Sequence, residues 1–161
     1  MKFIVHESPA RRSKSNYIAR VDLSPFGFDG EMEQLWLERL DGESFELCCI
    51  PFRVYGMALG DLVSVSGDGT TVTGVIRRSG GRVLRVLLVP GEALKAGSNE
   101  IKREVEKLGL ISEWSGDRHV AVDVPSVADI SSLIGVVERG EAESIMFWEW
   151  GDATSFSRPQ N

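Results

Sequence analysis

The second half of the chain alternates between strand-type and helix-type hydrophobic patterns, which constrains the fold more than any other feature of the sequence. Strands repeat their apolar positions every two residues and helices every 3.6. The patterned segments are 83–89 (strand), 98–108 (helix), 110–114 and 118–124 (strands), 126–140 (helix) and 144–150 (strand). This βαββαβ order is typical of the ferredoxin-like, or split βαβ, arrangement. Residues 79–151 are therefore predicted to form such a module.

End signals set the limits of the two predicted helices. Ser98 is placed to cap the first helix, and Gly109 stands where a terminating glycine is common. Ser126 follows a proline and is placed to cap the second helix, which Gly140 is expected to end.

The first half of the chain has a different rhythm, with short strand patterns separated by turns rich in glycine and aspartate. Asp41-Gly42 and Gly67-Asp68-Gly69 are such turns, and Leu59-Gly60-Asp61 is a third. Residues 17–78 are therefore predicted to form a small β-sheet or partial barrel, which makes the whole chain α+β. Residues 1–16 are expected to be a flexible segment.

The remaining local predictions concern the tail, one turn and the cysteines. Residues 152–161 are expected to be a disordered tail. We expect a strained backbone at Gly60 and a turn role for Asp61, whose carboxylate would accept backbone N–H bonds. Cys48 and Cys49 are adjacent, so a disulfide between them would be strained, and we expect two reduced thiols. Alternation along the strand would send one thiol inward and the other outward.

Composition limits the classes of function. The 161 residues carry a net charge of −6, with 42% hydrophobic and 26% charged residues, which is the balance of a folded protein. No apolar run reaches the roughly 18 residues that span a membrane, and no signal-peptide pattern begins the chain, so we expect a cytoplasmic protein. The acidic balance makes nucleic acid an unfavourable partner and favours a protein with a basic surface.

No motif for catalysis, metal binding or cofactor binding is found in the sequence. The chain contains two histidines, His6 and His119, far apart in sequence, and no nucleophile elbow or phosphate-binding loop. We therefore expect no cofactor and no metal, and the sequence favours a protein that is not an enzyme.

One face of the predicted second sheet collects residues that could bind a ligand. If the valines of 120–124 point to the helices, His119 and Asp123 point to the other face. The same alternation, with Ile145 and Phe147 assigned to the helices, adds Arg85, Trp148 and Trp150 to that face. These five residues are the candidate binding site.

Three interpretations of this face are open. The aromatic rings and Arg85 could stack single-stranded nucleic acid. Alternatively, the face could line a ligand pocket with His119 and Asp123 as acid and base, although roughly 13 Å of strand separates them. In the third interpretation, which we favour, the first module packs here, Trp148 and Trp150 form the seam, and Arg85 pairs with Asp123.

Three segments resemble a known family of bacterial proteins. They are Ile50-Pro51-Phe52 leading into 58–65, Arg78-Ser79-Gly80 leading into 85–88, and Ala121 to Pro125. The family is common in actinomycetes and is classified as a domain of unknown function. The resemblance covers roughly residues 17–150 and implies a bacterial source and a compact domain. It implies no activity and no catalytic residues.

The sequence thus favours a non-catalytic intracellular protein-binding module, of a regulatory or of an immunity (antitoxin-like) type. The alternative is a small-molecule-binding domain, or an uncommon enzyme, that uses the Arg85, His119 and Asp123 face. A single-strand nucleic-acid binder is the third hypothesis.

Overall fold

The fold is α+β and consists of two sheets and two helices. A computed structural model describes residues 1–156, and the predicted tail lies partly outside them. Within these residues the ten strands form one sheet of six and one of four. No helix of this part of the chain is long and apolar enough to cross a membrane.

The first sheet is built around one long strand. Its strands are β1 (Lys2–Ile4), β2 (Tyr17–Asp22), β3 (Glu31–Arg39), β4 (Ser44–Leu47), β5 (Leu62–Val65) and β6 (Val72–Arg77). The order is β1-β3-β4-β5-β6, and β2 pairs with the other edge of β3. A single bridge between Arg20 and Thr71 links β2 to the start of β6. Across residues 1–156 the sheet is therefore curled but not closed into a barrel.

The second sheet carries both helices. Its elements are β7 (Arg82–Leu88), α1 (Leu94–Lys107), β8 (Ser112–Ser115), β9 (His119–Val124), α2 (Ser131–Ala142) and β10 (Met146–Trp150). The strand order is β10-β7-β9-β8, and all neighbours are antiparallel. The helices cover one face, where Leu84, Val86 and Leu88 of β7 meet Ile101 of α1 and Leu133 of α2.

The other face of the second sheet packs against the first. Val83 of β7 and Ala121 of β9 are buried in the hydrophobic core of the first sheet, beside Leu35, Leu37 and Phe52. This contact makes the two sheets one packed unit. Cys48 and Cys49 are free thiols, and both are buried, so the expected outward thiol is not found.

The helix ends differ from the sequence prediction. Helix α1 begins at Leu94, so Ser98 lies inside it and is buried. Helix α2 begins at Ser131, where Asp129 accepts hydrogen bonds from the Ser131 N–H at 3.0 Å and hydroxyl at 2.5 Å. Gly140 does not end this helix but lies within it, against Met146. Neither Ser98 nor Ser126 therefore caps its helix. The cap pattern does not separate these serines from the true helix starts, because many polar residues satisfy it.

The two ends of the chain are packed where they are described. The sequence predicted a flexible segment at 1–16, yet Lys2–Ile4 form β1 and His6 is buried. Of the predicted disordered tail 152–161, Phe156 packs against the first core, and residues 157–161 lie outside the described residues.

Candidate functional site

The interior between the two sheets contains a buried ionic cluster. The His6 ring lies between two glutamates: Nε2 is 2.8 Å from Glu33 Oε1, and Nδ1 is 2.8 Å from Glu113 Oε1. All three side chains are almost fully inaccessible to water. Glu33 belongs to β3 and Glu113 to β8, so His6 joins the two sheets through charge-assisted hydrogen bonds.

The cluster holds a charged histidine. Burial by itself lowers the pKa of His6, but the neighbouring Cys49 and the hydrogen bonds that the ring donates to Glu113 and Glu33 raise it to about 12. For Glu33, burial by itself raises the pKa. The hydrogen bond from His6 and its positive charge have a larger, opposite effect, so the pKa of Glu33 is lowered. The imidazolium is therefore the cation that allows Glu33 to remain ionised in the interior.

The two glutamates also hold one loop. Glu33 accepts hydrogen bonds from the backbone N–H groups of Phe52, Arg53 and Val54, at 2.6, 2.9 and 2.8 Å. Glu113 accepts one from Ile50. Buried backbone donors need partners, and here the carboxylates replace the strand partners that the chain lacks after β4. The conformation of 50–54 therefore depends on the ionic cluster.

This loop forms one wall of a pocket between the sheets. The pocket has a volume of about 250 Å³. Its lining comes from the first half of the chain (Phe28, Phe52, Arg53) and from the second sheet (Arg85, Leu87, His119, Phe147, Trp148, Glu149). Phe52 stacks on His6 at 4.4 Å between ring centroids and contacts His119 at 5.7 Å. A pocket between two packed units with few polar groups is the usual form of a small-molecule site.

Arg85 supplies the buried charge of the pocket. It is 2% exposed, and its Nη2 donates to the carbonyl of Val54. Its Nε and Nη1 have no hydrogen-bond partner among residues 1–156. Nη1 lies 3.6 Å from Glu149 Oε1, which is within ion-pair range but beyond hydrogen-bond range. A buried, unsatisfied guanidinium is costly, and such exceptions commonly mark function.

The surroundings of Arg85 include a second ring and its hydroxyl. The guanidinium carbon lies 4.8 Å from the ring centroid of Tyr55, and the Tyr55 hydroxyl donates to both oxygens of Glu149 at 2.6 and 2.7 Å. Burial and the acceptor carboxylate raise the pKa of Tyr55 to about 12. Tyr55 therefore remains protonated and holds Glu149 beside Arg85.

His119 contributes a neutral ring. Burial lowers its pKa to about 4, and the charges of Arg85 and Arg53 lower it in the same direction. At neutral pH it therefore offers one donor and one acceptor nitrogen to the pocket. Arg53, on the opposite wall, is paired with Glu31 and lies over the ring of Phe28 at 4.9 Å.

Three of the five predicted site residues line the pocket: Arg85, His119 and Trp148. Asp123 lies on the same face of β9 but opposite Val83, beside Gly81 and outside the pocket lining. Burial raises its pKa. The expected Arg85–Asp123 pair is wrong, because the cross-strand neighbour of Arg85 on β9 is Ala121 and its acidic neighbour is Glu149 on β10.

The face assigned to Trp148 and Trp150 is also wrong. In the register of β10 with β7, Trp148 lies opposite Val86 and Trp150 opposite Leu84, so both rings pack on the helix side. Phe147 and Glu149 take the pocket side. Strand β10 has large apolar side chains on both of its faces, so the sequence pattern does not show which face turns to the helices. The pairing of β10 with β7 determines it.

Sequence reasoning missed the buried cluster. The sequence does contain a signal for Glu33. It stands two residues before Leu35 and four before Leu37, which both face inward, so strand alternation places Glu33 inward as well. A carboxylate in an inward position requires a partner. The partner, His6, is remote in sequence and carries no comparable signal.

Comparison with known proteins places the chain in a family. The model of a domain of unknown function, DUF4265, matches residues 33–148, which is more than half of the chain. The chain belongs to this family. The family carries no assigned activity, which agrees with the resemblance noted from the three sequence segments. No match is found among curated proteins.

A solved structure shares the fold of this DUF4265 protein. It is a hypothetical protein from Neisseria gonorrhoeae, with a TM-score of 0.64 at 19% sequence identity. The similarity covers 78% of this chain and 86% of that chain. At this identity the likeness concerns the fold alone. Within residues 1–156, no group of three or more His, Cys, Asp and Glu residues is arranged to hold a metal ion.

Proposed function

We propose that this DUF4265 protein is a binding module for a small organic molecule, which it holds in the pocket between its two sheets. The observation that carries this proposal is Arg85, a buried cation on the pocket wall with two nitrogens that lack hydrogen-bond partners among residues 1–156. Burying donors without partners is unfavourable, whereas a ligand that accepts hydrogen bonds from them recovers the lost interaction.

The walls support a ligand that is compact and partly apolar. Phe28, Phe52, Leu87 and Phe147 provide the apolar surface, and His119 adds hydrogen-bonding capacity. At about 30 Å³ per water, the cavity of about 250 Å³ holds roughly eight waters, which corresponds to a small metabolite rather than to a nucleotide cofactor.

The test is a ligand screen with a variant that fills the pocket mouth. Leu87 is 42% exposed at this mouth, so Leu87→Trp should obstruct the pocket without creating a cavity. Ile76→Trp is the matched control, because Ile76 is 58% exposed on β6, outside the pocket lining. We screen small organic acids, amines and neutral compounds by ligand-observed NMR and thermal shift.

At least one compound is expected to bind the wild type and Ile76→Trp and to bind Leu87→Trp at least tenfold more weakly. If no compound binds, or if every compound that binds is unaffected by Leu87→Trp, the proposal is wrong.

A protein partner with a basic surface is the second candidate. The net charge is −6, and Glu138, Glu141 and Glu143 are all exposed around the end of α2. Such a surface would attract a basic partner and accelerate its association. Replacing the three glutamates by glutamine should then reduce the association rate and its dependence on salt. An unchanged rate with a purified partner would exclude this surface.

A further inference from the structure

The inference concerns the chemical class of the pocket ligand, and it rests on the proposed function. We propose that the ligand carries a single carboxylate on a compact apolar group, and that this carboxylate displaces Glu149 from beside Arg85. Arg85, Glu149 and Tyr55 carry the argument.

The geometry of the Arg85–Glu149 pair is incomplete. Glu149 Oε1 lies 3.6 Å from Arg85 Nη1, and no hydrogen bond joins them. Carboxylate and guanidinium groups that meet freely form hydrogen bonds at about 2.7–2.9 Å. Here the two oxygens of Glu149 share the single hydroxyl proton of Tyr55, at 2.7 and 2.6 Å from its oxygen. Glu149 therefore balances the charge of Arg85 without satisfying its donors.

The two members of the pair differ in freedom. The Arg85 side chain is 3% exposed and is anchored to the Val54 carbonyl, whereas the Glu149 side chain is 44% exposed at the end of an edge strand. When Glu149 turns into water it gives up its hydrogen bond with Tyr55, which water can replace, whereas the buried guanidinium cannot move into water. A ligand carboxylate that enters the pocket can therefore take over the contact with Nη1, while Glu149 moves to solvent.

The charges in the pocket favour one negative group on the ligand. Of the lining residues, Arg53 already pairs with Glu31, and His119 is neutral at neutral pH. Arg85 is thus the lining cation whose donors are left unsatisfied within residues 1–156. Its neighbours Phe147 and Leu87 are partly exposed apolar groups, which suit an aromatic ring or a short alkyl chain beside the carboxylate.

The experiment compares acids with their uncharged amides. Benzoate, 3-phenylpropionate and hexanoate are titrated against benzamide, 3-phenylpropanamide and hexanamide, at pH 7 and by calorimetry or NMR. The protein is tested as wild type, Glu149→Gln and Arg85→Lys. Asp152→Asn is the matched control for Glu149→Gln, because it removes an exposed carboxylate that pairs with Arg82 and lies outside the pocket lining.

We expect at least one acid to bind wild type at least tenfold more tightly than its amide. Glu149→Gln should tighten acid binding about three- to tenfold, since the competing carboxylate is gone, and should leave amide binding unchanged. Asp152→Asn should change neither. Arg85→Lys keeps the charge but loses the planar donor set, and should weaken acid binding at least tenfold.

Three results would overturn this inference while leaving the proposed function intact. They are equal binding of acids and amides, weaker acid binding to Glu149→Gln, and binding in the pocket by amines or neutral compounds alone in the wider screen. If no compound of any class enters the pocket, the proposed function itself fails, and the inference fails with it.

Discussion

His6 and Glu33 are joined by a 2.8 Å hydrogen bond that connects the N-terminal segment to the centre of the first sheet. The same Glu33 carboxylate accepts three backbone N–H bonds from the loop that walls the pocket. The structural ion pair and the anchoring of the pocket wall therefore depend on one residue, Glu33. Changes to the buried cluster should consequently affect both the stability of the fold and the shape of the site.

Replacing His6 should destabilise the protein strongly. His6→Gln removes the buried cation and leaves two glutamates facing each other without a charge partner, which costs roughly 3–5 kcal/mol in comparable buried pairs. Chemical denaturation measures the free energy of unfolding. Glu7→Gln, at a neighbouring exposed position, is the control and should remain within about 0.5 kcal/mol of wild type. A His6→Gln variant within 1 kcal/mol of wild type would show that the cluster is not needed for stability.

The pKa of one histidine should lie above the ordinary value for histidine, and the pKa of the other should lie below it. His6 has a pKa raised to about 12, and His119 has one lowered to about 4. Imidazole ¹⁵N chemical shifts should therefore show one ring still protonated at pH 9 and one still neutral at pH 5.5. His6→Gln and His119→Gln assign the signals. Two rings that both titrate near pH 6.5 would contradict the burial and pairing described above.

These shifts also set the pH dependence of stability. The contribution of His6 is fully present below pH 6.5 and is lost as the pH rises towards 12, because only the unfolded chain releases the proton in that window. His119 affects stability at acidic pH. Between pH 6.5 and about 4 its ring takes up a proton in the unfolded chain but not in the folded one, so stability falls as the pH falls. His119→Gln should therefore reduce the loss of stability between pH 6.5 and 4.

Two glycines of helix α2 form an informative pair. A Cβ at Gly140 would collide with the side chain of Met146, which is buried, so Gly140→Ala should cost roughly 1–3 kcal/mol by overpacking. A Cβ at Gly135 meets nothing within 4 Å, so Gly135→Ala should instead stabilise the helix by roughly 0.5–1 kcal/mol. Thermal and chemical denaturation test both signs, and equal effects would contradict the close α2–β10 packing.

Gly60→Val should destabilise the protein by roughly 1–3 kcal/mol, because Gly60 has a φ of +86° that a β-branched residue resists. The added Cβ would also lie 3.3 Å from Ser79 Cβ. Gly67→Val is the control, since Gly67 has open space and no left-handed backbone, and it should change stability by less than about 1 kcal/mol. A wild-type melting temperature for Gly60→Val would contradict the strained turn.

Local sequence signals predicted much of the fold. The strand patterns at 83–89, 118–124 and 144–150 correspond to β7, β9 and β10 with small differences at their ends. The turn at Gly60 is confirmed by its positive φ, and Asp61 accepts N–H bonds from Ala58 and Ser79, as expected of a turn aspartate. Such features depend on neighbours within a few residues, and the sequence contains those neighbours.

The candidate site was predicted only in part. Arg85 and His119 were found because strand alternation places them opposite the helix-facing valines and leucines. Phe147, Trp148 and Trp150 were assigned to the wrong sides, since every residue from Ile145 to Trp148 is large and apolar. The pairing with β7 determines their side, and pairing is a contact between residues about 60 positions apart in the chain.

By itself, the sequence determined the α+β class, the order of the strands and helices after residue 79, the glycine-dependent turns and the absence of a long apolar span, because periodicity and turn chemistry act locally. The tertiary structure alone decided that His6 joins Glu33 to Glu113, that loop 50–54 is held by these carboxylates, and that Arg85 meets Glu149 in a pocket. Each of these contacts joins residues 19 or more positions apart in the chain. Their energy comes from desolvation and pairing that arise only when the two sheets close on each other.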